Sequence, residues 1–122
     1  MKESENEKPK FDLEERTFKF AKAARLFVKF LPKTAANIED GRQLIRSSGS
    51  VGANYREANE ALSKKDFYLR IKISRKEAKE SSYWLRLIQE TNDLKSSDRA
   101  QVLIHEANGW IKIFSAIIAK SK

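Results

Sequence analysis

The sequence predicts an all-α protein folded as an antiparallel, up-down four-helix bundle, and three observations carry this prediction. Four segments repeat their apolar residues at steps of three and four positions, which is the spacing of one helix face. Short polar links separate these segments, and short links join helices that run in opposite directions. No stretch shows the alternation of apolar and polar residues that is typical of a half-buried strand.

The chain of 122 residues is long enough for one domain with its own core and too short for two ordinary ones. Residues 1–10 are charged, contain Pro9 and lack periodicity, so we expect a flexible tail before a bundle at 11–122. The first helix is predicted to begin near Asp12, which can cap its free amides, and to end before Pro32. Its predicted buried face consists of Leu13, Thr17, Phe20, Ala24, Phe27 and Leu31.

The second helix is predicted to begin near Asn37. Its expected buried face consists of Leu44, Ser48, Val51, Tyr55, Ala58 and Leu62. Gly49 and Gly52 lie inside this span, so a break near Gly49 into two shorter helices is the alternative. One continuous helix is favoured because the apolar spacing keeps its phase across both glycines. Small residues at these positions would let a neighbouring backbone come close.

The third helix is expected to follow a short turn, with either Ser63 or Asp66 as its cap, and to end at about Thr91. Its predicted buried face follows alternating steps of four and three residues. These positions are Phe67, Ile71, Ser74, Ala78, Ser81, Leu85 and Ile88.

The fourth helix is predicted to open at Ser96 or Ser97 and to run to about Lys120. It is apolar around much of its circumference, which indicates burial on more than one side. Because each helix of a small bundle keeps a face toward solvent, the surplus apolar surface predicts contact between subunits. The interface residues predicted on this basis are Trp110, Ile111, Phe114 and Ile118.

The composition constrains the partners and the compartment. A net charge of +8 and a pI near 9.8 suit a polyanion or an acidic partner. The absence of cysteine excludes disulfides and is compatible with a reducing cytoplasm. The first ten residues lack a signal segment, and the most apolar run, 110–119, is shorter than a membrane span. A cytoplasmic protein without a membrane partner is therefore expected.

Basic residues recur at helical spacing on the first and third helices. The third helix carries Lys72, Arg75, Lys76, Lys79 and Arg86, and the first helix carries Lys22, Arg25 and Lys29. One interpretation is a basic edge, made by both helices, that neutralises the phosphates of RNA or DNA. The other is a solvated face whose cations pair with glutamates, as charged helix faces commonly do. Tyr83, Trp84 and Trp110 could stack on bases, but they occur at core spacing, which favours packing or a subunit interface.

The polar residues among apolar neighbours also have two interpretations. Asn54, Glu57 and Glu77 are predicted to form a polar network between helices that fixes their register. Acid–base or metal chemistry by a carboxylate pair is the alternative, and a di-iron bundle would need Glu-x-x-His motifs. His105 is the only histidine, and Val102 stands three residues before it. We therefore expect no metal, cofactor, small-molecule substrate or enzymatic activity.

One stretch resembles a known family. Residues 50–88 read SVGANYREANEALSKKDFYLRIKISRKEAKESSYWLRLI, with Asn54 followed by Glu57, a Ser-Lys-Lys-Asp-Phe turn, and a helix with Glu77 near its middle. Together with the preceding LPK at 31–33, this pattern resembles proteins encoded in intervening sequences of bacterial large-subunit ribosomal RNA genes. The match covers about residues 17–90. It departs from the family pattern at Tyr55 and Arg56, where many relatives have small or apolar residues.

The resemblance implies an all-α protomer that assembles into a homopentamer with a central channel. For a related branch, the accessory variability proteins of diversity-generating retroelements, it implies binding of nucleic acid and a reverse transcriptase through a basic surface. It implies no catalytic residues. The expected function is that of a non-enzymatic, homo-oligomeric protein whose basic surface binds nucleic acid, RNA by analogy with the family, or that is associated with the intervening sequence of the ribosomal RNA. The alternative is a protein-binding scaffold that recruits an acidic or reverse-transcriptase-like partner.

Overall fold

A computed structural model describes the backbone of residues 2–94 and 98–121, and the side chains from residue 12 onward within those ranges. This part of the chain contains four α-helices and no strand. They are α1 (Lys2–Lys29), α2 (Ala35–Asn59), α3 (Lys64–Thr91) and α4 (Arg99–Ala119). The predicted all-α class is confirmed.

Side-chain caps start the two central helices. The Thr34 hydroxyl accepts a hydrogen bond from the Asn37 amide at 3.1 Å, so α2 begins two residues before the predicted start. The Ser63 hydroxyl accepts from the Asp66 amide at 3.1 Å, which makes Ser63 the cap of α3. Helix α2 continues through Gly49 without interruption, as predicted.

The bounds of the outer helices differ from the predicted ones. Asp12 lies inside α1, so the prediction that it caps this helix is wrong. A flexible tail at 1–10 stays a prediction. Ser96 and Ser97, the predicted openings of α4, lie outside the described residues. Asp98 directly precedes α4 and makes no side-chain cap bond.

Each helix packs against two others. The contacts join α1 to α2, α2 to α3, α3 to α4, and α4 to α1. Within the described ranges no close backbone approach joins α1 to α3 or α2 to α4, so these pairs lie on opposite corners of the bundle. Between α2 and α3, Asn37 bonds Asn92 and Ser47 bonds Ser81, so higher residue numbers on α2 meet lower ones on α3.

The predicted buried faces form most of the core. Thr17 and Phe20 on α1, Leu44 on α2 and Leu85 on α3 are buried with most of their helical repeats. Leu13 and Phe67 are partly buried. Leu62 is 99% exposed, because α2 ends at Asn59 and Leu62 lies in the turn beyond it.

Small polar residues line the contact between α2 and α3, here called the serine seam (Ser47, Ser74 and Ser81). The hydroxyls of Ser47 and Ser81 are 2.9 Å apart, and Ser74 donates to the Val51 carbonyl at 3.0 Å. All three side chains are fully buried. Because each hydroxyl has a partner, the seam holds two helix backbones close without leaving these buried groups unpaired.

Two glycines of α2 let α1 come close on another side. A Cβ added at Gly52 would lie 2.8 Å from Thr17 Oγ1, and one at Gly41 would lie 2.8 Å from Val28 Cγ1. Both distances are too short for ordinary contact. The expectation that small residues on α2 admit a neighbouring helix therefore holds, and that helix is α1.

Helix α4 supplies the largest buried aromatic side chains. Trp110 stacks on Phe114 with ring centroids 5.7 Å apart, and the Arg16 guanidinium lies 4.8 Å from the Trp110 ring. Contrary to the expectation from the run 110–119, α4 is long and apolar enough to cross a membrane by length and composition. Seven of its residues are buried in the core, and the core helix of a bundle passes the same test.

Candidate nucleic-acid interface

The outer face of α3 carries a row of exposed cations. Because Ile71, Ala78 and Leu85 turn toward the core, the opposite face of α3 points to solvent. The exposed cations on that face, here called the α3 stripe, are Lys72, Lys76, Lys79 and Arg86. Their helical rise spans roughly 21 Å from first to last.

The α3 stripe is only partly neutralised by neighbouring carboxylates. Lys72 and Lys79 make no hydrogen bond or ion pair within the described chain. The Lys76 ammonium lies 3.9 Å from Glu77, and Arg86 lies 3.4 Å from Glu90 in an exposed pair. The exposed Arg86–Glu90 pair is weak and the Lys76–Glu77 contact is long, so most of the positive charge of the stripe is available to an anion.

Arg75 was predicted to belong to the same surface, but it turns away from it. Its side chain is half-buried, and its guanidinium donates to the Ser115 hydroxyl of α4 at 3.2 Å. Arg75 therefore joins α3 to α4 instead of standing beside the lysines.

The basic residues of α1 lie on another side of the molecule. Lys22, Arg25 and Lys29 are exposed, but α1 is at the corner opposite α3. The expectation of one basic edge made by both helices is therefore wrong for a single protomer. Arg25 donates to the Ala21 carbonyl at 3.1 Å and lies over Gly49 of α2.

An open groove of about 480 Å³ runs between α1 and α2 beside these cations. Gly49 and Ala53 form part of its floor, and Phe18 forms part of its wall. Its only carboxylate, Glu14, lies 3.6 Å from Arg56 across the groove. The groove thus combines apolar walls with surplus positive charge, but it holds no buried polar group that lacks a partner.

The three residues of the predicted polar network do not meet. Asn54 accepts a hydrogen bond from Arg70 at 2.9 Å and donates to the Ser50 carbonyl at 3.0 Å. Glu57 is exposed and makes no hydrogen bond or ion pair with another side chain. Asn54 does link α2 to α3 as expected, but through an arginine on the facing helix.

Glu77 is the buried carboxylate of this region. Arg46 of α2 approaches it at 3.4 Å and bonds Glu80 more closely, at 2.7 Å. One oxygen of Glu77, Oε1, has no hydrogen bond that meets ordinary geometry, although it faces the Arg46 guanidinium. The charges of Arg46 and the two glutamates hold α2 against α3. The sequence interpretation did not identify Arg46 as the partner of Glu77, or Arg70 as the partner of Asn54.

The described residues offer little for acid–base or metal chemistry. No group of three His, Cys, Asp or Glu side chains in those ranges is arranged to hold a metal ion. His105 is exposed on α4. Burial raises the pKa of the Tyr55 phenol, with a hydrogen bond from Asn59 lowering it and the charge of Glu14 raising it further. Tyr55 therefore stays neutral and serves packing, against Phe114.

The predicted subunit interface does not lie on the surface. Trp110 and Phe114 are fully buried and Ile118 is nearly so, because these side chains fill the core of one protomer. Ile111 is partly buried against the same core. The prediction is therefore wrong for Trp110, Phe114 and Ile118, which lie on the core face of α4, and for Ile111 it stays a prediction.

A different apolar surface is exposed between α1 and α4, here called the α1–α4 face. Leu26 of α1, Phe30 directly after α1 and Val102 of α4 are exposed, and Leu26 and Val102 line an open groove of about 300 Å³. Arg99 lies 5.0 Å from the Phe30 ring and covers part of it.

Tyr83 is a further exposed side chain of α3. Packing in the core of the protomer, one of its two expected roles, is wrong, because it is 58% exposed on the same face as the α3 stripe, and a subunit contact stays a prediction. The available signal was its position four residues after Lys79 and three before Arg86, which continues the stripe spacing.

The comparisons with known proteins agree with this architecture. The family model of the 23S rRNA-intervening sequence protein matches residues 10–116. The crystal structure of a protein of unknown function from the S23 ribosomal protein family of Bacteroides thetaiotaomicron superposes with a TM-score of 0.77. It is 30% identical over 86% of this chain and 96% of that one. A search of curated proteins finds no match. By the extent of the family match, this four-helix chain belongs to the family of 23S rRNA-intervening sequence proteins.

Proposed function

We propose that this protein is a non-enzymatic RNA-binding protein that contacts phosphates through the α3 stripe. The observation that carries the proposal is the exposure of Lys72, Lys76, Lys79 and Arg86 along one helix face. Two of these cations, Lys72 and Lys79, have no carboxylate partner within the described chain.

The charge balance supports a polyanionic partner. A net charge of +8 attracts a polyanion at long range, and cations that contact phosphates release the counterions condensed on the nucleic acid. A helix surface with about four available cations suits several successive phosphates. We favour RNA over DNA because the family takes its name from a sequence within ribosomal RNA.

We further propose that the protomer is an antiparallel up-down bundle that assembles into a homopentamer in the cytoplasm. The reversed order of paired residues on adjacent helices supports the antiparallel arrangement. The α1–α4 face, with Leu26, Phe30 and Val102 exposed, is the surface we assign to subunit contact. Assembly would repeat the α3 stripe around a ring and raise the affinity for a long polyanion through multivalency.

The proposal is tested by comparing charge reversal on the two basic helices. The α3 variant carries Lys72→Glu, Lys76→Glu and Lys79→Glu. The matched α1 variant carries Lys22→Glu, Arg25→Glu and Lys29→Glu, with the same change in net charge. Binding to a labelled RNA is measured by anisotropy with nuclease-treated protein, while circular dichroism and light scattering monitor fold and mass.

We expect the α3 variant to lose RNA binding and the α1 variant to retain most of it. The long-range attraction between protein and RNA falls equally in both variants, but the contacts with phosphates are lost only in the α3 variant. Equal loss in both variants would mean that only net charge matters. Undiminished binding by a folded α3 variant would reject the proposal.

A protein-binding scaffold is the second candidate, and the α1–α4 face favours it. Exposed Phe30 and Val102 beside a groove would suit an apolar helix of a partner, with the basic surfaces recruiting an acidic protein. Under this alternative, wild-type protein free of nucleic acid would bind RNA only weakly at both low and moderate salt.

A further inference from the structure

We propose that the α3 stripe binds an unpaired stretch of RNA and that the Tyr83 ring stacks on one of its bases. This inference rests on the proposed function and adds the conformation of the nucleic acid that the stripe selects. A row of lysines alone would bind paired and unpaired strands alike, because phosphates are common to both.

The position of Tyr83 is the first argument. It stands on the α3 face between Lys79 and Arg86, with its ring largely in solvent. The helical rise from Lys79 to Tyr83 is about 6 Å and from Tyr83 to Arg86 about 4.5 Å. A base attached to a backbone held by these two cations is therefore within reach of the ring. Alternation of cations and aromatic rings is how proteins hold single strands, whose bases expose their faces.

The support of the ring is the second argument. Tyr83 meets Trp84 edge to face, with ring centroids 5.0 Å apart and planes at 77°. Trp84 itself packs against the core. The contact therefore restrains the Tyr83 ring while most of this side chain stays exposed, so less side-chain freedom is lost when a base stacks on it.

The surroundings of the ring are the third argument. A shallow hollow of about 160 Å³ lies beside Tyr83 and is lined by Arg86, Leu87 and Glu90. This volume suits one planar base and falls below the roughly 300–1,000 Å³ of pockets for larger ligands. Leu87 offers an apolar floor, while the exposed Arg86–Glu90 pair offers both donors and an acceptor to a base edge. These groups therefore suit a base, and not only a phosphate, in the hollow beside Tyr83.

The experiment uses two forms of one labelled RNA, unpaired and annealed to its complement. Full-length wild-type protein is compared with Tyr83→Ala and Tyr83→Phe. Tyr68→Ala is the matched control, because Tyr68 is the other tyrosine of α3 and contacts only Phe67 among aromatic rings. Anisotropy gives the affinities at one fixed salt concentration, and circular dichroism checks that each variant folds.

We expect Tyr83→Ala to bind the unpaired RNA about 5- to 100-fold more weakly, the range for loss of one stacked base. Its affinity for the duplex should not change. Tyr83→Phe should bind like wild type, because stacking needs the ring and not the hydroxyl. Tyr68→Ala should bind like wild type as well.

Two results would overturn the inference. One is that Tyr83→Ala binds the unpaired RNA as tightly as wild type, and the other is that it weakens both forms of RNA equally. If either result is found while charge reversal at Lys72, Lys76 and Lys79 still abolishes RNA binding, the stacking role of Tyr83 is wrong and the proposed function stands. If the reversal also leaves binding intact, both fail.

Discussion

The α2–α3 side and the α1–α4 side of this bundle are held together by different means. Across α2 and α3, buried hydroxyls, a paired Asn37 and Asn92, and a charged cluster around Glu77 join the two helices along their length. Across α1 and α4, Arg16 bonds Glu106 at 3.3 Å and covers Trp110, and open grooves remain beside these contacts.

The difference suggests a division of tasks. Small side chains let α2 and α3 pack closely, so α3 is held rigidly against α2. Its outer face is then a rigid platform that holds the cations of the α3 stripe at a defined spacing. The α1–α4 side keeps apolar side chains on its surface, and an apolar surface is better suited to contact with protein than with phosphate.

The largest effect is expected for Trp110→Ala, which should lower the free energy of unfolding by about 3–5 kcal/mol because a fully buried aromatic leaves a cavity. Urea denaturation followed by circular dichroism measures it. Tyr83→Ala, at an exposed aromatic, is the control and should change stability little. If Trp110→Ala changed only the mass of the assembly and not its stability, Trp110 would belong to a subunit interface after all.

A smaller loss is expected for Ser81→Leu, about 1–3 kcal/mol, because the serine seam has no room for a larger side chain. Ser82→Leu, at the half-exposed neighbouring position, should cost clearly less. Denaturant midpoints of the two variants decide the matter. Equal midpoints would show that α2 and α3 can separate and that the platform is less rigid than the seam implies.

Arg46→Met should cost about 1 kcal/mol, because it removes the nearest cation from the buried Glu77 carboxylate while half of Arg46 is exposed to water. Adding Glu77→Gln should recover part of that loss, since a neutral amide needs no cation. The four stabilities form a double-mutant cycle. A cycle with no coupling between the two positions would show that Arg46 acts only through Glu80.

Tyr55 gives the bundle a pH-dependent contribution in alkaline solution. Burial raises its pKa above the ordinary value of 10.0, so the unfolded chain releases this proton at lower pH than the folded chain. The contribution is fully present below pH 10 and is lost as the pH rises through the raised pKa. Tyr55→Phe should flatten this part of the stability profile, measured between pH 9 and 11.5. A wild-type profile with the same slope as Tyr55→Phe would contradict the assignment.

The smallest effect on stability is expected on the α1–α4 face. Phe30→Asp with Val102→Asp should change the unfolding free energy by no more than about 0.5 kcal/mol per site, because both side chains are exposed. The same variant should lower the mass of the assembly in light scattering. Phe18→Asp, outside that face as defined here, serves as a control. Full assembly mass in the double variant would remove subunit contact from this face.

The helical segments and the core could be predicted from the sequence because they depend on spacing along one chain. Ile71, Ala78 and Leu85 repeat at helical steps, and such residues face inward whatever lies opposite them. Leu62 obeyed the same spacing and is exposed, because periodicity does not reveal where a helix stops. The cap at Thr34 that starts α2 was a local signal and could have been found.

Relations between helices could not be derived in the same way. The spacing of basic residues placed Lys22 and Lys76 on one basic surface. It could not show that their helices, α1 and α3, occupy opposite corners of the bundle. Trp110 was assigned to a subunit contact because the sequence of a helix that is apolar on most sides does not show which side faces the core of its own protomer. Arg46 and Arg70 were missed as partners since their contacts cross between helices. The exposed position of Tyr83, in contrast, could have been predicted, because its spacing from Lys79 and Arg86 places it on the same helix face.

The most direct test of the account is the salt dependence of RNA binding by wild type and by a Lys72→Gln, Lys76→Gln, Lys79→Gln variant, at ~50 to ~200 mM salt. If the α3 stripe contacts phosphates, the slope of log affinity against log salt should fall by roughly 0.7 for each lysine removed. A Lys22→Gln, Arg25→Gln, Lys29→Gln variant should keep the wild-type slope. A slope that does not change in the α3 variant, or that falls equally in both, would contradict the claim that α3 carries the binding surface.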